Sequence, residues 1–134
     1  VAAATYVQEV VTGVCTVFQE LPAVGAVCKT LLSFQKLVGT AKGNRKELAV
    51  LLELCEVVTK GALNRWSEHP GPHEGLAALR KHVEHAKKVA AMCNKGALSR
   101  FALSRKIARN IVSVKTNIVN FATVNNLALS TALH

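Results

Sequence analysis

Ten lysines and arginines fall between Arg80 and Lys115: Arg80, Lys81, Lys87, Lys88, Lys95, Arg100, Arg105, Lys106, Arg109 and Lys115. One acid, Glu84, stands among them. Outside this window seven basic and seven acidic residues cancel, so the net charge of +9 belongs to the window. The chemistry open to such a cluster is the binding of anions. A solvated helical face needs no partner at all. Nucleic acid would call for base-edge donors on an exposed recognition helix or aromatics for stacking, whereas the aromatics here sit at apolar periodic positions, so no nucleic-acid partner is expected. Anionic lipid needs no geometric code, because each Lys or Arg near such a leaflet contributes roughly 1 kcal/mol.

Catalytic arrangements are missing from the pattern. There is no Ser-His-Asp, Cys-His or paired-carboxylate constellation with defensible spacing, and no phosphate-binding glycine loop, since Gly39, Gly43, Gly61 and Gly96 read as helix ends or isolated helix glycines. His82 and His85 are three apart on a helix, yet no carboxylate or Cys falls at a matching place on that face, so they read as a solvated pair. His69 and His73 flank Pro-Gly-Pro and read as loop residues. Neither an enzyme, a metal nor a cofactor is expected. The cysteines, Cys15, Cys28, Cys55 and Cys93, occupy apolar positions of helical patterns without metal-ligand spacing. They read as small core residues of a reducing compartment. No basic n-region precedes the apolar N-terminal stretch, so no secretory signal is expected and the chain reads as cytosolic.

The elements that must carry these residues are helices. At 134 residues one domain over 1–134 is expected, and a composition rich in Ala, Val and Leu with few aromatics favours helix packed on helix. Tyr6, Val10, Val14 and Val17 recur at three- and four-residue steps, giving a first helix that ends near Glu20. Pro22 suits a first helical turn, after which Val24, Val27, Leu31, Phe34, Val38 and Ala41 keep the period. Two helices and one bent helix both fit residues 1–42. Lys29, Lys36 and Lys42 stand at near-heptad intervals and keep one stripe wet.

Gly43 predicts a left-handed stop, and Asn44 with Glu47 makes a variant capping box for the next helix. Leu48, Leu51, Cys55, Val58, Ala62 and Trp66 form its apolar face. The stretch "SEHPGPHEG", Ser67 to Gly75, is the clearest loop. Leu76, Leu79, Val83, Ala86, Ala90 and Cys93 give a further helix to about Asn94, with Arg80, Lys81, Lys87 and Lys88 off its seam. "NKGALSR" turns the chain into a last long helix marked by Ile107, Ile111, Val114, Ile118, Phe121, Asn125 and Ala128. The uncharged run Thr116 to Leu133 holds four asparagines and is not expected to span a membrane by itself. The expected class is all-α: a four-helix bundle over 22–134 with an additional or bent N-terminal helix over 1–20.

The runs "LPAVGAVCKTLLSFQKLVGTAKGN" and "RKELAVLLELCEVV", a Pro/Gly loop, a Lys/Arg-rich third helix and "NKGALSRFALSRKIARNIVSVKTNIVNF" stand in a recognisable order. This order resembles the N-terminal four-helix bundle of mixed-lineage kinase domain-like proteins. It is similar also to HeLo domains and the N-terminal coiled-coil domains of plant immune receptors. The likeness covers residues 20–130 and rests on order and spacing; the apolar step expected after Asn44 falls at Leu48 and Leu51. It implies an effector of necroptosis-like cell death or of plant or fungal immunity that self-associates, binds anionic phospholipid and permeabilises membranes. A regulatory domain outside this chain would release it, moving it from the cytoplasm to the plasma membrane. The implied lipid-binding residues are Arg80, Lys81, Lys87, Lys88, Lys95, Arg100, Arg105 and Lys106.

Glu9 and Glu20 are eleven apart, within about 20° of one helical face. In several copies lining a pore they would form acidic rings that favour cations. In a resting helix they would simply face water. From a different class, a non-lytic adaptor whose basic helix docks an acidic protein also fits the charge pattern.

Overall fold

The computed structural model describes residues 22–68, 74–125 and 127. The expected helix before Pro22, with Glu9 and Glu20, lies outside the described residues, as does the centre of the Pro/Gly loop. All regular structure among the described residues is helical: α1 (Pro22–Thr40), α2 (Arg45–Glu68), α3 (Glu74–Met92), α4 (Ala97–Ala102) and α5 (Ser104–Val124).

The periodic apolar residues pack as their spacing predicts. Val27, Leu31 and Phe34 of α1, Leu48, Leu51 and Val58 of α2, Leu79, Val83 and Ala86 of α3, and Ile107, Val114 and Ile118 of α5 are buried in one core. Helix α3 lies between α1 and α5 and packs most extensively on α1. Two hydrogen bonds fix the helix directions. The Lys42 amide donates to the Cys93 carbonyl (3.0 Å), so α1 and α3 end side by side. Arg65 Nη1 donates to the Asn125 carbonyl (2.9 Å), so α2 and α5 end together at the opposite pole. Chain connectivity then brings the starts of α2 and α5 to the pole where α1 and α3 finish.

The corner between α1 and α2 departs from the sequence expectation. The left-handed residue is Asn44 (φ 55°) and not Gly43. Asn tolerates that region better than other side chains do. Gly43 matters for a different reason: a Cβ there would lie 2.8 Å from Arg100 Nη1, so the guanidinium would have to shift from its place. The expected turn after Asn94 also contains a helix, α4, none of whose residues is buried. Leu103 closes α4 and opens α5, its amide bonded to the Ser99 carbonyl and its carbonyl accepting from the Ile107 amide.

Two polar residues enter the core on α2. Gln35 Nε2 of α1 donates to Glu56 Oε1 at 3.2 Å, and Glu56 is 2% exposed. Burial first, and the neighbouring Glu53 carboxylate second, push the Glu56 carboxyl up to about 7. Thr59 Oγ1 is buried without a hydrogen-bond partner among the described residues.

Candidate functional site

The pole where α1 and α3 end gathers Lys42, Arg45, Lys46, Lys95, Arg100, Arg105 and Lys106 from three chain segments, with Glu47 as the acid beside them. Helix termini that must meet in a packed helical body bring these segments together, and polar contacts lock them. Asn94 Nδ2 donates to the carbonyls of Leu37 (2.9 Å) and Ala90 (2.8 Å). The Thr40 hydroxyl donates to Asn94 Oδ1 at 2.8 Å. Arg100 completes the lock, Nε donating to the Lys95 carbonyl and Nη1 to the Lys42 carbonyl, both at 3.0 Å.

The eight cations expected to hold lipid therefore separate by role. Lys95, Arg105 and Lys106 are exposed at the pole. Arg100 is half-buried and spends its guanidinium on two backbone carbonyls. Arg80 and Lys81 sit nearer the middle of α3, where Arg80 Nε pairs with Glu84 Oε1 at 3.1 Å. Lys87 and Lys88 line a cleft of about 250 Å³ with Thr30, Glu84 and Ala91. The Glu84 carboxylate in that cleft opposes an anion. Arg109 and Lys115 are exposed along α5. Lys29, Lys36 and Lys42 are all exposed, as their spacing predicts.

Lys42, Arg45 and Lys46 escape a reading of charge along the sequence, because they lie outside the basic window. The signal was available in the connectivity: a short α1–α2 corner shares a pole with any α3–α5 turn. Helix α4 also escapes the sequence reading; its Leu98 and Phe101 are 86% and 82% exposed. Their position outside the apolar period of α3 and α5 marked them as unneeded by the core.

Among the described residues, His82, Cys55 and Cys93 pack against the core. His82 is half-buried rather than solvated, its ring edge-on to Phe121 with centroids 6.0 Å apart. Burial, then His85 and Lys81, lower its pKa, which keeps the imidazole neutral against the core. Among the described residues no group of three or more His, Cys, Asp or Glu is placed to hold a metal ion. Cys55 and Cys93 are free, buried thiols whose pKa values are raised mainly by burial. Cys28, Cys55 and Cys93 are buried in the core as expected, but Cys28 is disulfide-bonded, which corrects its reading as a reduced thiol; Cys15 lies outside the described residues. No described helix is long and apolar enough to cross a membrane.

A second groove, of about 390 Å³, runs between the first half of α2 and the middle of α5, lined by Glu47, Val50, Leu51, Ile111, Val112, Lys115 and Thr116. No protein-family model, curated protein or solved structure matches this chain.

Proposed function

We propose that the chain is a membrane-targeting four-helix bundle of the HeLo-like kind, a non-enzymatic effector that binds anionic phospholipid, self-associates and permeabilises the bilayer in cell death. The observation that carries this reading is the basic pole, where seven cations face one acid on surfaces the core does not use. Diffuse, exposed Lys and Arg on several short segments suit a fluid anionic surface, which adapts to them, better than a ligand that demands fixed geometry. Self-association would multiply a weak single contact into stable attachment. The segment with Glu9 and Glu20 is the pore-lining element of this proposal. A regulatory domain outside the chain would control release. Action from the cytoplasm on the plasma membrane follows from lipid charge, since the cytoplasmic leaflet is the anionic one. A disulfide at Cys28 counts against a reducing compartment, so this placement rests on lipid charge alone.

Dye release tests the proposal. Vesicles of phosphatidylcholine with and without phosphoinositide are challenged with the parent chain and a variant carrying Lys42→Glu, Lys46→Glu, Lys95→Glu and Lys106→Glu. Leakage confined to acidic vesicles and lost in the folded variant is the expected result. Failure of the parent to bind acidic vesicles overturns the proposal. Binding to an acidic protein without any leakage assigns the chain to the adaptor class instead.

A further inference from the structure

Helix α4 is the only described helix without a buried residue. It is six residues long, buries none of them, and presents Leu98 and Phe101 to solvent at 86% and 82% exposure. These residues are three apart in a helix, so their side chains leave the same side of it. Nothing in folding asks for them: replacing both by small polar residues would cost the core no contact. Exposure of two large apolar side chains beside each other is unfavourable in water and points to a surface that covers them.

The surroundings identify that surface. Lys95 precedes α4, Arg105 and Lys106 follow it, all three exposed, and Arg100 holds the helix to the Lys42 carbonyl, so exposed cations flank the apolar pair along the chain. No acid occurs anywhere in the chain after Glu84. An exposed apolar pair with exposed cations on both sides of it in the chain is complementary to an anionic bilayer, whose head groups meet the cations while its acyl region takes the side chains. A second copy of this chain fits worse. It would bring like charges to face these cations, and two side chains fall well short of the roughly 800 Å² that a stable interface buries on each partner.

We infer that α4 is a membrane wedge: Leu98 and Phe101 enter the acyl boundary of an anionic leaflet while Lys95, Arg105 and Lys106 engage its head groups. This inference rests on the lipid-binding reading above and adds the element that inserts. Arg100 is the positioning residue, because its bonds to the Lys95 and Lys42 carbonyls set α4 against the rigid corner. The wedge converts salt-sensitive adsorption into attachment that survives physiological ionic strength.

The test compares the parent chain, a Leu98→Ser/Phe101→Ser variant and a Phe101→Trp reporter on phosphatidylcholine vesicles with and without phosphatidylserine. All three should melt alike, since neither position is buried. The double Ser variant should lose about tenfold or more in partition coefficient; at low salt charge still keeps both proteins fully bound, so the loss is read at physiological salt, where apolar burial must hold the protein. Emission of the Phe101→Trp protein, after subtraction of the Trp66 signal of the parent, should be quenched by lipids brominated along the acyl chain. Equal partitioning of parent and double Ser variant at physiological salt, or a bound reporter that brominated chains do not quench, overturns the wedge and leaves the lipid-binding reading intact. A parent that binds no acidic vesicle at any salt overturns both. Loss of a solution oligomer in the double Ser variant, with unchanged partitioning, assigns Leu98 and Phe101 to a contact between copies and also overturns the wedge.

Discussion

Arg100 reaches across 58 residues of sequence to donate Nη1 to the Lys42 carbonyl at 3.0 Å, and it does so through the space left by the missing side chain of Gly43. A charged donor on a carbonyl is among the stronger hydrogen bonds, and the same guanidinium also holds the Lys95 carbonyl. One side chain thereby ties the α1–α2 corner to the turn that carries α4. Its planar fork can serve two carbonyls at once, which a lysine ammonium on a flexible stem does poorly.

Arg100→Ala should lower unfolding stability by about 1–2 kcal/mol, the range for losing charged hydrogen bonds at a half-exposed site, and Arg100→Lys should recover little of it. Gly43→Ala should destabilise the parent, since the new Cβ meets Arg100 Nη1 at 2.8 Å, and should cost nothing in the Arg100→Ala background. Urea denaturation of the four proteins gives the cycle. Additive effects of the two changes would show that Arg100 does not occupy the Gly43 space.

Glu56 makes stability depend on pH with a sign opposite to that of a salt-bridged carboxylate. Its folded pKa is raised to about 7, mainly by burial, while in the unfolded chain the same carboxyl ionises near its ordinary 4.5. Between those values the folded state holds a proton that the unfolded state has released, so stability falls as pH rises and levels off above 7. The full penalty is on the order of 3 kcal/mol. Glu56→Gln keeps an acceptor for Gln35 Nε2 and removes the ionisation. It should be more stable than the parent at pH 8, with the gap closing towards pH 5. Parallel profiles for the two proteins would mean that Glu56 ionises freely in the folded state.

How much of this was legible beforehand depends on whether a feature is local. The apolar faces of α1, α3 and α5 could be read because three- and four-residue spacing is a direct record of burial: Val27, Leu31, Phe34, Val83, Ala86, Val114 and Ile118 all lie in the core. Glu56 was not legible, since a carboxyl between apolar neighbours on a helix looks the same whether it faces water or Gln35 of another helix. The basic window was visible, but its division was not. That Arg100 is held by carbonyls while Lys42, distant in sequence, joins Lys95 depends on which helix ends meet. Gly43 and Asn44 both tolerate the left-handed conformation, so the sequence alone does not choose between them, and the structure puts it at Asn44.

Thr59 sits fully buried with its hydroxyl unpartnered among the described residues. A buried hydroxyl without a partner carries its desolvation cost uncompensated. Thr59→Val keeps the branched shape and similar helix propensity while removing that cost, so it should raise stability by about 1 kcal/mol. Thermal and urea unfolding check the sign. A destabilised Val variant would show that the hydroxyl has a hydrogen bond in solution.

Charge reversal at two places separates the pole from the middle of α3. Arg80 is already paired with Glu84 at 3.1 Å, and the cleft at Lys87 and Lys88 includes that same carboxylate. Lys95 and Lys106 have no acid within ten residues of sequence on either side and stand exposed at the pole with Lys42. If the pole meets the leaflet, Lys42→Glu/Lys95→Glu/Lys106→Glu should weaken binding to acidic vesicles by at least about tenfold more than Arg80→Glu/Lys81→Glu does, because each cation near the surface contributes roughly 1 kcal/mol. The salt dependence of the residual binding should flatten in the first variant and stay steep in the second, since screening acts on the charges that face the lipid. Cosedimentation across a salt series measures both. Equal loss in the two variants would mean that the membrane spans the flank of α3 as well as the pole, and a larger loss in the α3 variant would move the lipid contact away from α4 altogether.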